Sequence, residues 1–154
     1  MLDKTTDGEG KSLGSVRQTD PAANHCFGCS PLNRAGLRLK FAIGASSAGD
    51  ITATAPVQLT RRYEGARGYL HGGIIATLMD EAMSKLNKPL GVAAMTRHIE
   101  VDYLCPSPVA AQLTLVGRHV RREGRKLYHV AELINEKGDV LARAKGLFIV
   151  VERP

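Results

Sequence analysis

The stretch from Leu70 to Ala82 reads LHGGIIATLMDEA, and it decides the fold. Apolar residues recur through it and just beyond it at steps of one, three and four, the spacing of one face of an amphipathic α-helix. They are Ile74, Ile75, Leu78, Met79, Ala82, Met83 and Leu86. The run Lys88-Pro89-Leu90-Gly91 ends the helix, because proline cannot continue it and glycine favours a C-terminal turn. The sequence therefore predicts one long helix with a buried apolar stripe.

On both sides of this helix, apolar and polar residues alternate with the period of two that is typical of half-buried β-strands. The segments predicted as strands are 37–43, 50–57, 92–104, 111–120, 125–135 and 139–151. Turns are expected at 44–49 and 136–138, and a loop at 58–70. This order of elements predicts an α+β fold in which an antiparallel β-sheet wraps around one long central helix.

A chain of 154 residues suits one folded domain, which we place at residues 21–154. Residues 1–20 are polar and have no periodicity, so we expect a flexible N-terminal arm. The N-terminus lacks the basic start and apolar core of a secretory signal, and no apolar run is long enough for a membrane helix. The prediction is a cytoplasmic protein without a membrane partner.

The chain carries a net charge of +6, which favours an anionic partner. With four tyrosines, three phenylalanines and no tryptophan, it has few aromatic side chains on which bases could stack. We therefore expect no nucleic acid partner, and a polyphosphate ligand becomes the better candidate.

The entry of the helix, His71-Gly72-Gly73, is the first candidate site. Backbone N–H groups at a helix N-terminus lack intrahelical acceptors and lie at the positive end of the helix dipole. Two glycines leave these groups uncovered, so they could stabilise a carbonyl oxygen as it becomes an oxyanion. The alternative is that the glycines only permit a tight entry and close packing of the helix on the sheet.

Asp80 is the second candidate, about two turns into the helix and about 145° from the centre of the apolar stripe. It is expected to face away from the sheet of its own chain, as an exposed carboxylate does. If a second subunit covers that face, Asp80 could activate a water or attack a substrate directly. Glu81 is interpreted as half of an ordinary surface pair with Lys85.

Cys26 and Cys29 form a Cys-x-x-Cys motif beside His25. Structural zinc requires four ligands, and Cys105 is the one further thiol, so we expect no metal and no cofactor. A zinc-stabilised interaction domain remains a weaker hypothesis. His98, His119 and His129 are expected to be hydrogen-bonded or on the surface. The signatures of serine hydrolases, phosphate-loop NTPases and zincins do not occur in the sequence.

The run Leu70 to Ala82 closely resembles the helix motif of hotdog-fold thioesterases, in particular the phenylacetate-pathway and related acyl-CoA thioesterases. Two other segments are similar to this family: Cys26 to Leu37, which reads CFGCSPLNRAGL, and Thr96 to Tyr103 with Pro106. The resemblance covers about residues 24–150. It implies a hotdog fold and hydrolysis of an acyl-CoA thioester without a cofactor.

The resemblance also implies roles for individual residues. Gly72 would donate its N–H to the thioester carbonyl, and Asp80 would act as nucleophile or activate water. His71 would place the thioester, and the Thr96 hydroxyl would assist the water. Gly73, Glu64 and Gly65 would lie against the substrate. Family members form their active sites between subunits, which implies a homodimer or a dimer of dimers.

One position departs from the family. Relatives carry asparagine or glutamine about six residues before the histidine, where this chain has Gly65 beside Glu64. Losing an oxyanion donor typically lowers turnover by about 10²–10³. The second hypothesis is therefore a non-catalytic protein that binds acyl-CoA or another anionic ligand in the same place.

Overall fold

The computed structural model describes residues 23–151, which form one α-helix and one six-stranded antiparallel sheet. The helix, α1, is Gly72–Ser84, and a 3-10 turn precedes it at Arg61–Tyr63. The strands are β1 (Ala42–Ala45), β2 (Ile51–Val57), β3 (Ala94–Tyr103), β4 (Leu113–Glu123), β5 (Lys126–Asn135) and β6 (Val140–Val150). Their order in the sheet is β1-β2-β4-β5-β6-β3, so β1 and β3 are the two edges.

The apolar stripe of α1 forms the centre of the core, as predicted. Its residues are buried against β2, β3, β4, β5 and β6, which together curve around the helix. Leu78, Met79 and Met83 have no exposed surface. The helix ends at Ser84, earlier than the proline signal indicates, and consecutive turns occupy residues 85–91. The predicted α+β fold is thus confirmed: one helix wrapped by an antiparallel sheet.

The predicted strand at 37–43 is wrong for most of its length, because the sheet begins only at Ala42. Leu37 and Leu39 are buried, as their alternation indicates. Their N–H groups, however, donate to the carbonyls of Phe27 and Gly28 at 2.8 and 2.9 Å. The segment therefore pairs with the preceding loop, which no periodicity within 37–43 could show.

The other strands and turns agree with the prediction to within a few residues. The β5–β6 turn closes with a 3.0 Å hydrogen bond from Gly138 N–H to the carbonyl of Asn135, and Gly138 has a φ of 87°. The predicted arm at residues 1–20 lies outside the described residues. Among residues 23–151, no helix has the length and apolar character needed to cross a bilayer.

Candidate active site

His71 is the N-cap of α1 and organises the helix entry. Its backbone is extended, and its Nδ1 accepts a 2.9 Å hydrogen bond from the N–H of Gly73. Its carbonyl accepts from Ile74 and Ile75 at 2.9 and 3.1 Å. These contacts use three of the four N–H groups of the first turn, which leaves Gly72.

The N–H of Gly72 has no hydrogen-bond acceptor within residues 23–151. It lies at the positive end of α1, where a developing negative charge is stabilised. The N–H of Gly73 is already bound to His71, so Gly72 is the better candidate for an oxyanion donor. Gly73 contributes instead by fixing the imidazole of its neighbour.

Tyr103 is a residue that sequence reasoning missed. Its hydroxyl donates a 2.9 Å hydrogen bond to the carbonyl of Gly72, and so joins the end of β3 to the first turn of α1. The alternating pattern placed Tyr103 in a strand, but a contact across 31 sequence positions gives no local signal.

An open groove of about 730 Å³ lies beside the helix entry. Its walls come from the loop before α1, the first turn of α1 and the segment after β3: Glu64, Gly65, Ala66, Tyr69, Leu70, His71, Gly72, Ile75, Tyr103, Leu104, Cys105, Pro106 and Ser107. Four of the residues named from the sequence, namely Glu64, Gly65, His71 and Gly72, therefore share one groove. Asp80, Thr96 and Gly73 are not in its walls.

Gly65 packs directly against the helix entry. A Cβ at this position would lie 2.8 Å from the Cα of His71, so a side chain cannot be added without moving the loop. The amide side chain that the family resemblance implies at this position would therefore require a shift of the loop or of His71.

The carboxylate of Glu64 stabilises its own loop. Its Oε1 accepts a hydrogen bond from the N–H of Gly68. Its Oε2 forms an ion pair with Nε of Arg61 at 3.3 Å. The bond from Gly68, assisted by Arg61, lowers the pKa of Glu64, which keeps it ionised at neutral pH. Its oxygens are therefore occupied by the loop, although the residue borders the groove.

Asp80 lies on the flank of α1 beside the edge strand β3. Its Oδ1 accepts a 2.7 Å hydrogen bond from Oγ1 of Thr96. Partial burial raises the pKa of Asp80, the bond from Thr96 opposes that rise, and the charge of Glu81 adds to it. A carboxylate with a raised pKa is a better proton acceptor than an ordinary aspartate, as general-base chemistry requires.

This arrangement corrects the expectation that Asp80 faces away from the sheet of its own chain. The sheet curls around α1, so its edge strand reaches the flank on which Asp80 lies. The interpretation of Glu81 as a surface residue is also wrong. Glu81 does pair with Lys85 at 2.9 Å, but it is only 8% exposed because the N-terminal loop, residues 23–41, covers it.

The histidines of the sheet have separate surroundings. His129 is buried, with Nε2 3.1 Å from Oδ1 of Asn87 and Nδ1 3.1 Å from Nδ1 of His119. His98 is exposed on β3. None of the three lines the groove at the helix entry.

One helix enclosed by a six-stranded antiparallel sheet of this order, with an open helix N-terminus, defines the hotdog class of proteins. Residues 67–142, just under half of the chain, match the sequence model of the Thioesterase superfamily, so the chain is similar to that family. The matched segment contains the helix entry, Asp80 and Thr96.

Individual relatives agree with this assignment. The chain is 31% identical over 91 residues to acyl-coenzyme A thioesterase THEM4 of Bos taurus, a match that covers 58% of this chain and 37% of the relative. It superposes with a TM-score of 0.70 on the crystal structure of a thioesterase superfamily protein, at 30% identity, over 81% of this chain and 60% of the other. A hypothetical thioesterase from Streptococcus pneumoniae, solved with coenzyme A, shares the fold with a TM-score of 0.65 and 18% identity, over 74% of this chain and 90% of its own.

The chain thus spans less than half the length of the curated mammalian relative.

Proposed function

We propose that this chain hydrolyses an acyl-CoA thioester to a free acid and coenzyme A. The observation that carries the proposal is the N–H of Gly72 at the positive end of α1, which has no acceptor within residues 23–151 and belongs to a residue that lines an open groove. The family and the name of the mammalian relative support the same chemistry.

The reaction requires a carboxylate and an oxyanion site. In the water-mediated form, Asp80 takes a proton from water, and the oxygen attacks the thioester carbonyl carbon. The oxyanion of the tetrahedral intermediate accepts a hydrogen bond from Gly72 N–H. The C–S bond then breaks, and the departing thiolate receives the proton from Asp80. In the direct form, Asp80 itself attacks the carbon, the C–S bond breaks and coenzyme A leaves as the thiolate. Water then hydrolyses the resulting anhydride, which restores the Asp80 carboxylate, releases the free acid and supplies the proton that the thiolate takes up.

Gly72 and Asp80 of one chain cannot act on the same thioester. They are eight residues apart on one helix, about 12 Å along its axis at about 1.5 Å per residue. Reacting groups must approach within roughly 3–3.5 Å of each other. The Asp80 carboxylate and the Gly72 N–H that act on one thioester would therefore belong to two copies of this chain, with Asp80 of one copy facing Gly72 of the other.

The surface near edge strand β3 suits such an assembly. Met95, Tyr103 and Leu104 are 65%, 54% and 47% exposed, although they are large and apolar. An uncovered edge strand with apolar side chains is a natural pairing surface. We therefore propose a homodimer, alone or within a dimer of dimers, in which each site uses both chains.

The charge near the groove suits the coenzyme. Arg61, Arg62 and Arg67 are exposed on the loop that forms one wall. Together with the net charge of +6, they favour the phosphates of coenzyme A over a neutral substrate. Cytoplasmic location stays a prediction from the sequence.

The test is thiol release from short, medium, long and aromatic acyl-CoAs by wild type and Asp80→Ala. We expect release by wild type and a loss of about 10²-fold or more in the variant, with circular dichroism and assembly unchanged. Equal rates for the two proteins would disprove the role of Asp80.

Gly65 supports a second candidate, a non-catalytic protein that binds acyl-CoA in the same groove. Gly65 has no side chain to serve as the amide donor that the family resemblance implies, and its packing against His71 leaves little space for one. A binder would show thermal stabilisation by acyl-CoA with no thiol release from any member of the panel. Thiol release that depends on Asp80 would eliminate this candidate.

A further inference from the structure

A second cluster of reactive side chains lies where the N-terminal loop crosses α1, apart from the groove. Three atoms, namely Sγ of Cys26, Sγ of Cys29 and a carboxylate oxygen of Glu81, all lie within 4.8 Å of one another. The Cys26 Sγ is 3.4 Å from Oε2 of Glu81. Donors of these types, bound to zinc at about 2.0–2.3 Å, are separated by roughly 3.3–3.8 Å. Small side-chain movements would therefore place all three atoms around one ion.

We propose that Cys26, Cys29 and Glu81 bind one zinc ion, with a water molecule as the fourth ligand. The two thiolates come from one Cys-x-x-Cys turn, a spacing typical of structural zinc sites. The carboxylate comes from α1, 55 positions away in the sequence from Cys26.

This inference departs from the expectation of a protein without metal. That expectation depended on the thiols, of which Cys105 is the one further candidate. Cys105 is exposed and lines the groove at the helix entry. The third donor is instead a carboxylate, which sequence spacing could not connect to the cysteines.

The charges of the cluster balance when zinc is present. Two thiolates and one carboxylate carry three negative charges, and zinc and Lys85 carry three positive ones. The Nζ of Lys85 is 2.9 Å from Oε1 of Glu81 and 2.7 Å from Sγ of Cys29. A donor at this place stabilises the excess negative charge of a zinc–thiolate site, as outer hydrogen-bond partners of metal ligands do.

Gly28 allows the two cysteines to close on Glu81. Its backbone is so near the Glu81 carboxylate that a Cβ would overlap the carboxylate atoms. The turn is fixed by a 3.1 Å hydrogen bond from Ser30 N–H to the carbonyl of Cys26. Zinc would therefore hold the N-terminal loop against α1, a structural role that does not depend on thioester hydrolysis.

The first test is metal titration of the full chain, reduced and freed of metal. Cobalt(II) added to the wild type should give one equivalent of binding and the near-ultraviolet band of thiolate-to-cobalt charge transfer, and zinc should displace it. Cys26→Ser and Cys29→Ser should lose the band. Glu81→Gln should weaken binding about tenfold or more. The matched control Cys105→Ser should titrate like the wild type.

The second test is thermal stability with and without zinc. Zinc should raise the Tm of the wild type and of Cys105→Ser, but not that of Cys29→Ser. A wild-type chain that gives no charge-transfer band would overturn the proposal, and this measurement needs no variant to fold. Full zinc binding by the double variant Cys26→Ser/Cys29→Ser would overturn it equally.

Discussion

Thr96 and Asp80 are joined by a 2.7 Å hydrogen bond, from Oγ1 of the threonine to Oδ1 of the aspartate. The bond links the flank of α1 to β3 at the edge of the sheet. It leaves the second carboxylate oxygen, Oδ2, without a hydrogen bond within residues 23–151. Thr96 thus orients the carboxylate that we propose acts on water or substrate.

Thr96→Val should lower kcat about tenfold and leave KM near its wild-type value. The change removes a hydrogen bond to a charged group, which is worth about 1.5–3 kcal/mol, while the shape is retained. Steady-state kinetics on the best acyl-CoA measure the effect. Thr114→Val, at an exposed position on β4, is the control and should behave like the wild type. A kcat for Thr96→Val equal to that of the control would remove Thr96 from the mechanism.

Gly72→Pro should lower kcat by about 10²–10³, because it removes the one N–H that is proposed to stabilise the oxyanion. Proline is favoured at the first position of a helix, so α1 should still form. Gly72→Ala keeps the N–H, and its Cβ would meet Tyr103 at an ordinary 3.6 Å. Retained activity in Gly72→Ala beside loss in Gly72→Pro assigns the effect to the N–H. Equal activity of both variants would exclude it.

Mixed dimers test whether one site uses two chains. A dimer of one Asp80→Ala chain and one Gly72→Pro chain contains one site with both groups intact. If the two inactive variants are unfolded, mixed in equal amounts and refolded, half of the dimers should be mixed, and about a quarter of wild-type activity should return. Sites built within single chains would give no recovery.

Gly65→Asn should destabilise the fold by about 1–3 kcal/mol and should not raise activity. The new side chain supplies the amide that the family resemblance implies but must displace the backbone of His71. Urea denaturation and thiol release measure the two effects. Ala66→Asn, at the exposed neighbouring position, should leave stability unchanged. Higher turnover in Gly65→Asn would show that the loop can accept the amide.

Stability should decrease below neutral pH because of His129. Burial, assisted by the charge of His119, lowers the pKa of His129 to about 4, whereas an unfolded histidine has a pKa of about 6.5. Between these values the unfolded chain binds a proton that the folded chain does not. The free energy of unfolding is therefore fully retained above about pH 6.5 and falls as the pH decreases, by about 2 kcal/mol between pH 7 and pH 5.

The measurement is urea denaturation of the wild type, His129→Gln and His98→Gln at pH 7, 6 and 5. His129→Gln should lose most of this pH dependence, and the exposed control His98→Gln should retain it. An unchanged pH dependence in His129→Gln would assign the effect to other groups.

Much of this architecture could be predicted from local patterns. Periodic burial produced a periodic sequence in α1 and in strands β2, β4, β5 and β6. The apolar residues of each element all pack into the same core, so their spacing follows the period of the helix or strand. The glycines after His71 indicated an open helix entry because the unpaired N–H groups of a first turn are a general property of helices.

The remaining features depend on contacts between distant segments. The i, i+4 spacing predicted the pair of Glu81 with Lys85, but it could not show that the loop around Cys26 covers Glu81. The bond from Tyr103 to Gly72 and the pairing of Leu37 with Phe27 likewise have no periodic signal.

The placement of Gly72 and Asp80 on one continuous helix restricts how this protein can diverge. Inserting one residue between them would rotate Asp80 by about 100° and shift it by about 1.5 Å relative to Gly72. The loop at 58–70 and the segment after β3 carry no such restriction, although they form most of the groove. New substrate preferences can therefore arise by insertion and deletion in those two segments, whereas the stretch from Gly72 to Asp80 must keep its length if both residues act as proposed.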